Sequence, residues 1–162
     1  MMHRILFTAS TFSHIRTFHL PYLRAFRALG WEVDVACGGT LPDLPDADRV
    51  IVLPFEKRMS SPANFRAQAQ LRHLMRQQNY TLVITHTSLA AFFTRRAAAG
   101  VHPRPPVINM AHGYLFDDET PAWKRAILES AERLTARQTD LLLTMNQWDY
   151  RTAQRLHLGR RV

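Results

Sequence analysis

The regular alternation of strand-like and helix-like segments restricts the fold of this sequence more than any other feature. Its first unit has an apolar strand at residues 5–9, a polar turn at residues 10–14 and a basic amphipathic helix. Gly30 ends that helix, and a second apolar strand follows at residues 33–37. The turn therefore lies at the carboxyl end of the first strand, which is the edge where open α/β sheets bind ligands.

The same alternation continues to the end of the sequence. The further predicted strands lie at residues 50–53, 82–85, 107–110 and 141–144, and two predicted helices lie at residues 62–79 and 88–99. A third helix is predicted to begin after a Thr120 cap, with Pro121 in its first turn, and a last helix to run from an Asn146 cap to residue 156. Strands that alternate with helices predict an α/β fold with a mostly parallel sheet covered on both faces. We expect a single domain over residues 1–162.

Composition narrows the class of protein. A chain of 162 residues that is 46% hydrophobic is long enough to bury a core, and it is not typical of disorder. The single cysteine, Cys37, excludes an intramolecular disulfide and fits a reducing cytosol. Since no run approaches the roughly 20 apolar residues of a transmembrane helix, we expect a soluble or peripheral protein.

Positive charge is concentrated in one part of the sequence. The net charge is +8, and residues 57–116 contain no Asp or Glu. The basic residues of this stretch are Lys57, Arg58, Arg66, Arg72, Arg76, Arg95, Arg96 and Arg104. Such a field attracts phosphates, anionic lipid or nucleic acid, although solvated helix faces would show the same pattern. Nucleic acid is the least favoured partner, because aromatic residues do not interleave with the arginines and no reading motif is present.

Three histidines follow predicted strands. His14 follows the first strand, His86 the fourth and His112 the fifth, so all three are expected at one edge of a parallel sheet. Hydroxyl groups accompany them at Ser10, Thr11, Ser13, Thr87 and Ser88. Because N–H groups at helix amino termini favour anions, this polar edge is suited to phosphate.

A metal site and a structural role are the two alternatives to phosphate binding for these histidines. The sequence offers these histidines no cysteine partner, no histidine pair at helical spacing and no nearby carboxylate as further zinc ligands. We therefore predict no metal. His112 is the strongest candidate for chemistry because Gly113 lets a ligand approach the backbone, but a histidine that merely caps a loop is equally consistent. The loop after the first strand lacks glycine and is not a conventional nucleotide cradle.

The chain resembles the amino-terminal domain of family 4 glycosyltransferases, the bacterial capsule and exopolysaccharide type. The matching segments, in order, are residues 13–23, 30–36, 85–87, 111–113 and 144–150. The resemblance implies one of two Rossmann-like domains in a GT-B architecture. That domain holds the acceptor, while a second domain holds the nucleotide sugar and the paired glutamates.

The resemblance also implies roles for individual residues. His112 would be catalytic, near the donor sugar, and the residues expected to bind substrate are Ser13, His14, Arg16, His86, Thr87, Gly113 and Tyr114. Transfer would retain anomeric configuration, with a nucleotide sugar as the donor and without a metal or further cofactor. The acceptor would be a glycan, expected to be lipid-linked, reached from the cytoplasmic face of the membrane.

Two departures from the family pattern are expected to matter. Residues 11–13 stand where many relatives carry a glycine pair, and the sequence contains no donor-binding domain, so the chain alone is expected to be inactive. An alternative is a non-catalytic flavodoxin-like module that binds an anionic partner or membrane surface. A third alternative is one half of a sugar-nucleotide epimerase.

Overall fold

The computed structural model describes residues 2–162, and these form six strands and six helices. In chain order the elements are β1 (Arg4–Ala9), α1 (Phe12–Phe18), α2 (Leu20–Ala28), β2 (Glu32–Cys37), β3 (Arg49–Val52), α3 (Pro62–Gln78), β4 (Leu82–His86), α4 (Ser88–Ala98), β5 (Val107–Ala111), α5 (Ala122–Ala136), β6 (Leu141–Thr144) and α6 (Gln147–Leu156). Every predicted strand is present, and each begins and ends within one residue of its predicted limits.

All six strands lie in one parallel sheet with the order β3-β2-β1-β4-β5-β6. The predicted α/β class and parallel sheet are therefore confirmed. The chain first builds outward from β1 to β3 and then returns to build from β4 to β6 on the other side. The strand order thus reverses between β1 and β4, which creates the crevice where doubly wound sheets bind ligands.

Alternation along β1 explains why both faces of the sheet are covered. Ile5 and Phe7 pack with the side chains of α1 and α2 on one face, while Leu6 packs against α3 and α4 on the other. Successive strand residues point to opposite faces, so a strand with two covered faces is apolar throughout. A third cluster, around Leu142 and Leu158, joins β6 to α6.

The predicted first helix is in fact two helices with a break at His19. Pro21 lies in the first turn of α2 and has no N–H to donate to a preceding turn. The chain therefore ends α1 and restarts: the N–H of His19 donates to Ile15, and the carbonyl of His19 accepts from Tyr22 and Leu23. As a result His19 and Leu23 are buried.

Several predicted buried faces were wrong, and the break accounts for the first of them. The helical spacing of Ile15, Phe18, Tyr22 and Leu29 predicts one packing stripe, but Phe18, Tyr22 and Leu29 are exposed because α2 turns a different face inward. On α5, Trp123 is 70% exposed although the spacing of its apolar residues is helical. Three further apolar side chains whose helical spacing predicts an apolar face are also exposed: Phe65 on α3, and Ile127 and Leu134 on α5.

The predicted cap of α5 was also wrong. Pro121 occupies the cap position, and the Thr120 hydroxyl bonds Asp117 instead of the first turn. The cap of α6 is confirmed, since the Asn146 side chain accepts from the N–H of Asp149 at 2.8 Å.

The acid-free stretch does not form a continuous basic face. Arg95 is completely buried in an ion pair with Glu132, and Arg104 pairs with Asp140, so two of its arginines are neutralised by acids later in the chain. Lys57 and Arg58 remain exposed. Among the helices within residues 2–162, none is both long enough and apolar enough to cross a bilayer.

Candidate functional site

Four histidines meet at the carboxyl edge of the sheet, and we call them the His cluster: His14, His19, His86 and His112. His14 lies on α1 and His19 at the break before α2, while His86 ends β4 and His112 follows β5. One side chain nitrogen from each lies within 4.8 Å of the corresponding nitrogens of the others. The predicted convergence of three of these histidines is therefore confirmed, above the point where the strand order reverses.

The rings of the cluster pack closely against one another. His19 stacks on His86 with ring centroids 3.7 Å apart, and His14 meets His112 edge to face at 4.6 Å. His112 Nε2 lies 3.5 Å from His86 Nδ1. Sequence reasoning missed His19 because a continuous helix would have turned it away from His14. Pro21 was the available signal for the break, because proline is favoured in the first turn of a helix and disrupts a helix interior.

Burial keeps the cluster neutral. His86 is 0% exposed and His19 is 1% exposed, whereas His14 and His112 are partly exposed. Burial, reinforced by the other histidines, lowers the pKa of His19 to about 4 and that of His86 to about 2. Burial also lowers the pKa of His14, with His112 contributing, and the pKa of His112. At neutral pH the four rings are therefore uncharged imidazoles.

Several ring nitrogens of the cluster are unsatisfied. Within residues 2–162, His14 Nε2, both ring nitrogens of His19, and His86 Nε2 are buried without a hydrogen-bond partner. A buried polar atom without a partner costs about 1–3 kcal/mol, so native structures rarely tolerate several together. The cluster therefore has ring nitrogens available for a bound molecule or ion.

A cavity of about 290 Å³ opens beside the cluster. His14 and His112 line one side of it, and Tyr114 and Glu132 line other parts of the wall. The Tyr114 hydroxyl is buried without a partner within the described chain, and burial raises the pKa of Tyr114. The cavity therefore offers uncharged donors and acceptors near the reversal point of the sheet.

Thr87 holds a strained turn between β4 and α4. Its φ of 62° lies in the left-handed region, where a β-branched residue is rarely found. The Thr87 Oγ1 accepts from the N–H of Ser10 at 3.0 Å and lies 2.7 Å from the Ser10 hydroxyl, so it joins the turns after β1 and β4. The first turn of α4 has no side-chain cap, and its N–H groups are therefore free to bind an anion.

The remaining predicted site residues lie in different surroundings. Gly113, with a φ of 119°, and Tyr114 line the cavity, as do His14, Thr87 and His112. Ser13 and Arg16 lie exposed on α1, outside the lining of the cavity, and the Ser13 hydroxyl bonds Thr11.

One predicted position needs correction. His86 was expected at an open polar edge in contact with an acceptor, but it has no exposed surface. It ends a central strand, and the ring of His19 covers it. His86 is therefore the floor of the His cluster, with the ring of His19 stacked on it.

A second, more apolar cavity of about 150 Å³ adjoins the first. Ser88, Leu115 and Glu132 line both cavities. The apolar cavity also contains Met59 and Phe92, with Lys57 at its edge. A polar pocket thus continues into an apolar one along the amino-terminal end of α4.

Cys37 takes no part in this chemistry. It is a free, buried thiol within β2, and burial raises its pKa to about 12. A thiol of this pKa is not a nucleophile at neutral pH.

These features define a Rossmann-like domain with a polar ligand site at the reversal point of its sheet. Comparison with known proteins places it more narrowly: residues 15–162 match the family model described as glycosyl transferase 4-like domain. The chain belongs to this family.

The chain is similar along almost all its length to a curated relative, the protein from Bacillus subtilis (strain 168) whose description is glycosyltransferase EpsD. The two are 32% identical over 157 residues, which is 96% of this chain and 41% of the relative. The chain thus spans about two fifths of the length of that relative.

Solved structures show the same fold at low identity. Sucrose-phosphate synthase from Thermosynechococcus elongatus matches with a TM-score of 0.68 and 14% identity, over 98% of this chain and 46% of that one. A Listeria monocytogenes protein described as a UDP-N-acetylglucosamine 2-epimerase matches with a TM-score of 0.66 and 12% identity, over 98% and 42%. The expected GT-B half-architecture is confirmed, but transferases and an epimerase share it, so the fold alone does not separate their activities.

Proposed function

We propose that this chain is the acceptor-side half of a retaining glycosyltransferase that builds a cell-surface polysaccharide. The observation that carries the proposal is the convergence of His14 and His112 on a cavity at the reversal point of the sheet, in a chain of the glycosyl transferase 4-like family. The exopolysaccharide context is supported by the relative's name, EpsD.

The two adjoining cavities support a lipid-linked acceptor. The free N–H groups at the start of α4 are suited to a diphosphate, and the apolar cavity beside Met59 and Leu115 is suited to the first part of a lipid chain. The exposed Lys57 and Arg58 lie in the loop after β3, at the same edge, where they would favour an anionic membrane surface.

His112 is proposed to lie next to the donor sugar. As a half-buried, neutral imidazole it donates one hydrogen bond and accepts another without carrying charge. Transfer would depend on positioning the acceptor and on stabilising the leaving diphosphate, rather than on a strong local base. A donor-binding half would supply the nucleotide-sugar contacts, so we expect no transfer by this chain alone.

The proposal is tested by transfer from a nucleotide sugar to a polyprenyl-diphosphate-linked saccharide in anionic vesicles. The chain would be assayed alone and fused to the donor-binding half of a relative. We expect transfer only by the fusion, a loss of about 100-fold or more with His112→Ala, and weaker activity at high salt. The matched control is His73→Ala, which changes an exposed histidine on α3.

Two results would count against the proposal. Transfer that is equally fast with His112→Ala and His73→Ala would remove His112 from the reaction. Conversion of the free nucleotide sugar without any acceptor would identify an epimerase instead.

A further inference from the structure

We propose that His14, His19, His86 and His112 form a binding site for a divalent transition metal ion, with Zn²⁺ as the best fit. This inference goes beyond the proposed glycosyl transfer, and it does not depend on it. It rests on the geometry of the four rings and on the nitrogens that lack partners.

The spacing of the ring nitrogens is close to that of a coordination shell. Imidazole nitrogens bind zinc at about 2.0–2.1 Å in a tetrahedral arrangement, which places any two of them about 3.4 Å apart. His86 Nδ1 and His112 Nε2 already lie 3.5 Å apart, and all four ligand atoms lie within 4.8 Å of one another. Shifts on the order of 1 Å would complete the shell, and a rotation would separate the stacked rings of His19 and His86.

The unsatisfied nitrogens point to the same conclusion. His19 is almost fully buried, and neither of its ring nitrogens has a hydrogen-bond partner within the described chain. His86 Nε2 and His14 Nε2 are also buried without partners. Lone pairs on neutral nitrogens are what a transition metal requires, and imidazole suits zinc, copper, iron and nickel. A bound ion would take one lone pair from each ring, and at His19 it would satisfy a nitrogen that has no partner in the described chain. His86 would bind through Nδ1, the nitrogen that faces His112.

The surroundings of the cluster favour a metal held only by nitrogen. None of the four rings makes a salt bridge with a carboxylate within residues 2–162. The rings of Phe7 and Phe18 pack against His86 and His14. Glu132 lines the cavity beside the cluster, but its carboxylate is already paired with Arg95 and does not balance a doubly positive ion. Because His14 and His112 also line the open cavity, an anionic ligand entering that cavity would complete the charge balance.

The sequence-based argument against a metal was incomplete. No histidine pair in the sequence has the spacing of a continuous helix, but His14 and His19 come together because the helix breaks between them. The sequence pattern also predicts three histidines at this edge, where the fold collects four.

The experiment uses the full 162-residue chain without a histidine tag, stripped with a chelator and then titrated with Zn²⁺ or Co²⁺. We expect one equivalent to bind, and bound Co²⁺ to show the intense visible absorption of a four-coordinate ion. His19→Ala is expected to weaken binding at least tenfold, while the matched control His157→Ala, outside the cluster, leaves it unchanged.

Two further measurements keep the outcome interpretable. Circular dichroism shows whether each variant is folded, and the partly exposed His14→Ala serves if His19→Ala does not fold. A folded wild-type chain that binds no stoichiometric metal would overturn the proposal. Equal metal binding by His14→Ala and the wild-type chain would also overturn it. A third contrary result is inorganic phosphate that binds the cluster without Zn²⁺ and is not displaced by Zn²⁺. None of these readouts measures sugar transfer, so the two proposals fail separately.

Discussion

At the scale of single residues, the His cluster shows what sequence could and could not predict. His14, His86 and His112 each follow a strand, so their shared edge followed from the parallel sheet alone. His19 could not be placed in the same way, because its position depends on where α1 ends. His86 could be placed at the edge but not judged for exposure, since the ring that covers it belongs to His19.

The lowered pKa values make stability depend on pH. In the metal-free folded chain, the pKa of His19 is lowered to about 4 and that of His86 to about 2, against about 6.5 when unfolded. Below pH 6.5 the unfolded chain therefore binds more protons than the folded chain. We expect the free energy of unfolding to fall between pH 7 and pH 5, by about 2 kcal/mol for each of these two rings.

Denaturant unfolding at the two pH values, with a chelator present, measures this loss. His86→Gln should remove part of the pH dependence, whereas His157→Gln, at an exposed position after α6, should leave it intact. Equal stability of the wild-type chain at pH 7 and pH 5 would show that the cluster is not buried and neutral as described.

At the scale of elements, the ion pair between α4 and α5 fixes one wall of the cavity. The Arg95 guanidinium, which is 0% exposed, donates to Glu132 at 2.8 Å and to the Ala91 carbonyl at 3.0 Å. In the sequence Arg95 belonged to a basic stretch interpreted as a solvated or anion-binding face. Its burial was not predictable, because its acidic partner lies 37 residues further along the chain.

Removing one member of a buried pair leaves the other charge without compensation. We expect Arg95→Met to lower the free energy of unfolding by about 3 kcal/mol or more. The matched control is the neighbouring Arg96→Met, because Arg96 makes a weaker contact to Gln68 at 3.3 Å and lies over the Phe92 ring. That change should cost about 1 kcal/mol or less. Thermal or urea unfolding of the two variants checks the difference, and equal losses would contradict it.

The boundaries of the elements were more predictable than their faces. Gly30, Pro62 and Asn146 mark ends by backbone chemistry that acts locally, and the strands agree within one residue. Which side of a helix is buried depends on distant partners. Trp123 on α5 has helical apolar spacing yet stays exposed, because packing within residues 2–162 does not reach that face.

At the scale of the whole molecule, the chain is a Rossmann-like domain that matches part of longer proteins. It spans 41% of its curated relative and 46% of a solved sucrose-phosphate synthase. The parallel direction of the strands was implied by the alternation of strands and helices, and the Rossmann-like class was implied by the family resemblance. The cavity that runs from His14 to Glu132 was not, since its walls come from α1, β5, α4 and α5.

The central claim is that a diphosphate-linked acceptor binds beside His14 and His112. The most direct measurement is a titration of the isotope-labelled chain with a short-chain polyprenyl diphosphate saccharide, followed through the imidazole C–H resonances by NMR. We predict saturable shifts of His14 and His112, with His73 and His157 unchanged. Shifts confined to the exposed histidines, or equal shifts with a saccharide that lacks the diphosphate, would contradict the account.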